Sequence, residues 1–233
     1  MGSKIMGSKM GRSARPLLGL AALLGIALLG APQAGLSARD RFVPPALTKA
    51  TDIPYPIEVL ATGLVTLSVN LSVAGQPPTT QVLRDIPGLT SVASSIVTTW
   101  NYSSGKLDNN PSPSTINIEV VFNPSSTLNQ NLQVTPVAPA PPPFPAGYLP
   151  PEVAVASFAS SPATSAGWGA VVLDVAIDKF GSIKKVDTIR DVPSLTPEAI
   201  ATVKRWTINP AMFNGKAIES KLVVAFVFRP HPQ

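Results

Sequence analysis

Few side chains in this chain could do acid–base or nucleophilic work. The one histidine, His231, sits close to the last residue, Gln233, and there is no cysteine. A Ser-His-Asp set, a Cys-His pair, a cysteine metal site and a glycine-rich phosphate loop are all missing from the sequence. Asp174 and Asp178 stand four apart on one strand face. That spacing could bring two carboxylates together for acid–base chemistry or for a calcium ion. Because Asp178 also opens a turn, the pair reads instead as a solvated face. Arg84-Asp85 recurs as Arg190-Asp191. It reads as a local ion pair at a strand-to-helix corner, of a kind that contributes little energy when exposed. No catalytic residue, metal or cofactor is expected, and the chain reads as non-enzymatic.

The charge balance points away from nucleic acid. The formal net charge is +5, but Lys4, Lys9, Arg12 and Arg15 lie in a leader without Asp or Glu. Phosphate recognition needs clustered cations on the folded part. After the basic start comes Leu17 to Ala31, an apolar run without charge, and then Pro32, Gln33, Ala34 and Gly35. A basic start, a short apolar core and small residues after it form the pattern of an export signal. The run is shorter than the roughly 20 residues that span a bilayer. Residues 1–38 are therefore expected to be a cleaved signal, which makes the protein periplasmic or secreted. The alternative is a short anchor in the inner membrane through residues 17–31, with the rest facing the periplasm.

The rest is organised by an internal repeat. Displaced by 106 positions, Gly63 falls on Gly169, Gly75 on Gly181 and Arg84-Asp85 on Arg190-Asp191. Pro87 falls on Pro193, Leu89-Thr90 on Leu195-Thr196, Trp100 on Trp206 and Phe122 on Phe228, without a gap. One duplicated domain is the economical explanation. Between the copies, Thr135 to Pro145 is dominated by proline. Proline lacks a backbone donor, so this stretch should form an extended spacer that keeps two modules apart. The expected divisions are a lead segment 39–60, a first domain 61–124, a Pro-rich linker 125–160 and a second domain 161–233.

Within the second copy, Val171, Leu173, Val175 and Ile177 alternate along a strand. A turn at Asp178 to Gly181 leads into a second strand, Ser182 to Arg190. Thr196 is a candidate N-cap and Pro197 suits the first helical position. Ala199, Ile200, Val203 and Trp206 give a helical stripe, and Lys204 and Arg205 fall in the last turn. Asn209-Pro210 stops the helix, Asn214-Gly215 makes a turn, and Lys221 to Phe228 is a closing strand. The fold class expected is α+β: two small β-β-α-β modules, each with a helix on an antiparallel sheet. Trp100 and Trp206 read as core anchors, and Trp168 as the exposed tryptophan. In the first copy, Asn101 to Ser114 reads as a longer or looser loop.

Gly169 to Phe228 resembles the TonB C-terminal domain family. The resemblance rests on the Gly-x-Val opening strand, Asp178 with Gly181, and the helix ending in Trp206. It continues through Asn209-Pro210-Ala211, Asn214-Gly215-Lys216 and the Val/Phe closing strand. The first copy keeps Gly63, Gly75 and Trp100 but lacks Pro-Ala. The resemblance implies a periplasmic domain that takes an extended peptide from an outer-membrane or other envelope protein by adding a strand to a sheet edge. That edge would be Lys221, Leu222, Val223, Val224, Ala225, Phe226, Val227 and Phe228. Energy transduction in the family also uses a membrane helix with a histidine, and the apolar run here has none. Peptide binding linked to transport is thus the first expectation. The second is a structural envelope protein whose edges pair within the chain or in a homodimer.

Overall fold

A computed structural model describes residues 41–56, 58–73, 76–124, 131–132, 134, 144–161 and 167–229. The apolar run, His231, Gly75 and the spacer up to Pro143 lie outside the described residues.

The first half contains β1 (Phe42–Val43), β2 (Ala46–Lys49), β3 (Gly63–Leu71), β4 (Thr79–Arg84), α1 (Thr90–Val97), β5 (Asn101–Ser103), β6 (Lys106–Leu107), β7 (Asn110–Pro111) and β8 (Ser114–Phe122). After β9 (Asn131–Leu132), the order recurs as β10 (Tyr148–Leu149), β11 (Glu152–Ser157), β12 (Gly169–Ile177), β13 (Ile183–Arg190), α2 (Thr196–Val203), β14 (Thr207–Asn209), β15 (Ala211–Phe213), β16 (Lys216–Ile218) and β17 (Ser220–Phe228). In broad terms this is an α+β fold, mostly sheet with two helices. The displacement of 106 holds from β1 on β10 to β8 on β17. The recurrence thus begins well before positions 61 and 161. The stretch Asn101 to Ser114 is not a loose loop. Asp108 and Asn109 take positive φ angles of 51° and 67°, as Asn214 and Gly215 do at 48° and 74°. Both copies therefore close the same tight hairpin, which Asn and Asp can enter without glycine.

The two halves are not held apart. Arg39–Gln233 forms one compact unit. Its centre is a six-stranded sheet in the order β13-β12-β17-β8-β3-β4. Each half supplies three antiparallel strands, and the halves join where β17 and β8 run parallel. In that seam Val223 lies opposite Ile118 and Val227 opposite Phe122. By the repeat, Ile118 corresponds to Val224 rather than Val223. Side chains alternate with period two, so a one-residue slip turns one half over relative to the other.

The core shows the consequence. Leu89, Ala93, Val97 and Trp100 of the α1 region pack on Val65, Leu67, Val69 and Ile118, and also on Val223, Ala225 and Val227. Leu195, Ala199, Val203 and Trp206 of the α2 region pack on Leu173, Val175, Leu222, Val224 and Phe226, and also on Leu64 and Val121. One helix covers each face, and each helix also buries side chains of the other half. A third cluster joins the halves through Phe42 and Tyr148, repeat equivalents with ring centroids 4.6 Å apart.

Helix α2 begins one residue earlier than expected. Leu195 is the N-cap of α2 and makes no side-chain capping bond. Thr196 is helical and turns back: its hydroxyl accepts from the Val192 N–H at 3.0 Å and donates to Asp191. Thr90 accepts from the Ile86 N–H in the same way. The Thr hydroxyl therefore fixes the corner before the helix rather than its first turn. Helix α2 ends at Val203, ahead of Lys204 and Arg205, and Asn209-Pro210 separates β14 from β15 instead of stopping a helix.

Candidate functional site

The strand expected to offer a free edge is interior. β17 pairs with β12 from Gly169↔Phe228 to Ile177↔Ser220, and with β8 from Val223↔Ile118 to Val227↔Phe122. Leu222 through Phe228 are essentially inaccessible. Lys221 to Phe228 therefore has no edge to offer between Val223 and Val227. The physical reason is in the composition: an unbroken apolar run is the mark of a strand covered on both faces, whereas a half-covered strand alternates. Of the other motif residues, Trp100 and Trp206 are buried core anchors. Asn209 pairs with Glu152, and Asn214-Gly215 forms the β15–β16 turn. Trp168 is exposed, as expected.

Among the described residues the sheet ends at β13 on one side and at β4 on the other. These edges are repeat equivalents with different lengths. β13 starts at Ile183, whereas β4 starts at Thr79, the equivalent of Lys185. The two missing positions are Pro77 and Pro78, where the second copy has Ile183 and Lys184. Proline cannot donate to a ladder, so it shortens the strand and blunts the edge.

Beside β13 lies a cleft of about 780 Å³ between the strand, the end of α2 and β14. Ile183, Val186, Ile200, Trp206 and Ile208 give it apolar walls. Lys184, Lys185 and Lys204 also line it, and no Asp or Glu does. The Trp206 indole is fixed by an N–H bond to the Ser157 carbonyl at 3.3 Å and by the Phe226 ring. The turn that leads into β13 is tightly built. The Asp178 carboxylate accepts from the N–H groups of Ser182 at 2.9 Å and Phe180 at 2.8 Å. These bonds, the one from Ser182 foremost, hold its pKa below the ordinary carboxylate value. Gly181 has φ 84°, and a Cβ there would collide with the Ile208 carbonyl oxygen. The edge is thus presented by a rigid corner. The equivalent cleft of the first half, about 530 Å³, is lined by Leu71, Pro78, Trp100 and Tyr102 among others, and by no charged residue.

Charged groups elsewhere serve the fold. Glu119 is buried beside the seam, accepts from Thr66 Oγ1 at 2.6 Å and lies 3.6 Å from Arg84. Burial pushes its pKa up to about 7, against the opposing pull of Thr66 and Arg84. Arg190 pairs with Asp52 at 3.2 Å. Both arginines thus reach carboxylates distant in sequence, Arg84 to Glu119 and Arg190 to Asp52. Asp174 is not solvated either. It is buried and paired with Lys221, and desolvation raises its pKa. Among the described residues no cluster of His, Asp or Glu could hold a metal ion, and no helix is long and apolar enough to cross a membrane.

Local periodicity locates β13 as a strand but carries no information on which of its sides is paired. The signal was available: Ile183-Lys184 stands where the first copy has Pro77-Pro78.

Residues 164–230 match the family model of the Gram-negative bacterial TonB protein C-terminal. The match spans β12 to β17, and so takes in the cleft and the Asp178 turn. No curated protein and no solved structure matches the chain. The matched residues include β13, the strand that ends the sheet among the described residues.

Proposed function

We propose that this is a non-enzymatic protein of the cell envelope that binds an extended peptide, or an extended segment of an envelope protein, by adding it as a strand to β13. The observation that carries this reading is that β13 ends the sheet beside a partly apolar cleft, while β17 is enclosed. Backbone N–H and C=O groups along an edge supply affinity, and side-chain pockets beside it supply selectivity. The TonB C-terminal match supports a periplasmic location and a link to TonB-type energy transduction and transport. On this reading the first half is a second TonB C-terminal-like domain, a β-β-α-β module with extra short strands.

The first half supplies its own control. Pro77-Pro78 is compatible with the fold there, so I183P/K184P should leave the protein folded and blunt the β13 edge. Binding of a ten-residue peptide alternating valine with threonine is followed by hydrogen exchange. In the parent protein the peptide slows exchange of the β13 amides, and in the variant it does not. Bound peptide that leaves β13 exchange unchanged would sink the proposal.

A structural role has one observation in its favour: the halves already pair through β8 and β17. Self-association between chains would then use β13 or β4, and sedimentation equilibrium would show a dimer.

A further inference from the structure

The two edges of the sheet are the same element in duplicate, yet their chemistry has diverged. At the first edge, Pro77 and Pro78 remove two backbone donors, and the cleft beside it carries no charge. At the second, the strand is two residues longer and three lysines line the cleft. Lys184 and Lys185 are well exposed. Asp187 pairs with Lys185 at 2.8 Å, whereas Asp178 stands 4.0 Å from Lys184 with its carboxylate engaged by backbone N–H groups, and Lys204 adds a third cation.

We infer that the two halves have divided their labour: the first edge is closed, and the β13 edge takes a single strand in which acidic side chains alternate with apolar ones that point toward α2. This rests on the strand-addition reading. Three lysines line the cleft and two aspartates stand beside them, and this positive balance raises the local concentration of a carboxylate-bearing strand and disfavours a basic one. A second copy of this chain is the competing occupant of such an edge. Apolar side chains on the alternate positions of the bound strand would meet Ile200 and Trp206. The exposed Phe180 ring, with Lys179 Nζ 5.1 Å from its centroid, marks the open end of the cleft.

The test uses two ten-residue peptides, one alternating valine with glutamate and one alternating valine with lysine, titrated calorimetrically into the full chain. The expected result is about tenfold or greater preference for the glutamate peptide, since rim charges steer a partner and suppress wrong ones. The preference should shrink in 0.5 M salt, where the Debye length falls to about 4 Å. K184E/K185E/K204E should reverse it, with circular dichroism showing an unchanged fold because the edge lysines are exposed. P77I/P78K should create a second binding event. Equal affinity for both peptides, with β13 still protected from exchange, overturns the charge inference and leaves strand addition standing. Failure of both peptides to bind overturns both. A dimer in sedimentation that K184E/K185E/K204E leaves intact also overturns the inference.

Discussion

Asp52 of the first half lies 3.2 Å from Arg190 of the second, and its Oδ1 also accepts the Ala170 N–H at 2.7 Å. Gly169, with φ 110°, leaves room for this approach, because a Cβ there would press on the carboxylate. One side chain therefore anchors the first half's lead to both the first strand and the edge strand of the second. Asp52→Ala should cost about 1–2 kcal/mol, the range for a hydrogen bond to a charged group reduced by partial exposure. Denaturant unfolding read out by tryptophan fluorescence and by circular dichroism gives the value.

Trp100 and Trp206 stand at equivalent places on opposite faces of the sheet. Each is buried, with its indole N–H bonded across the fold to Thr51 Oγ1 and the Ser157 carbonyl respectively. Truncation to Ala should cost about 3–5 kcal/mol. Since the halves share a core, either truncation should lower a single transition rather than one of two. Calorimetry that resolves two independent transitions would contradict the shared sheet.

Glu119 gives the fold a pH dependence with an unusual sign. Its folded pKa, about 7, exceeds the ordinary 4.5. Between these values the folded protein binds more protons than the unfolded chain, so stability falls as pH rises through that window. Below about 4.5 the burial penalty is absent, and above about 7 it is complete. Asp174, also raised, adds in the same direction above its ordinary 3.8. Asp178 is lowered, so its effect falls at more acid pH, outside the Glu119 window. Glu119→Gln should flatten the profile between pH 5 and 7.5, removing a change of order 1–3 kcal/mol. Chemical denaturation across that range checks it.

Val223 pairs with Asp174 on one flank and Ile118 on the other. In an edge strand, proline can sit where its missing N–H would have faced water. In an interior strand each N–H points to one neighbour or the other, so Val223→Pro must lose a ladder bond. The expected cost is about 3 kcal/mol or more, enough to lower soluble yield sharply. Normal expression and melting of Val223→Pro would mean that β17 is an edge after all.

Much of this was written in local pattern. The glycine, Thr and Trp positions recurred at one spacing, and period-two alternation located β12 directly. The seam was harder to see, because the repeat fixes which elements exist and not how two copies meet. Its signature was nevertheless present: Leu222 to Phe228 lacks the alternation seen from Val171 to Ile177 in the half-covered reading, and both faces of β17 are in fact packed. Arg84 and Arg190 misled because adjacent opposite charges suggest a local pair, whereas long side chains reach across a sheet as easily. The short strands β1 and β10 carry too few residues for periodicity, and only Phe42 and Tyr148, meeting between the halves, give them a place.

The parallel seam has a kinetic meaning. Two such modules on separate chains would meet at a rate set by their dilution, and their pairing would dissolve as they were diluted. Joined in one polypeptide, they meet at an effective concentration fixed by the intervening chain, on the order of millimolar for short flexible connections. The melting midpoint of this protein should accordingly be the same at nanomolar and at micromolar concentration.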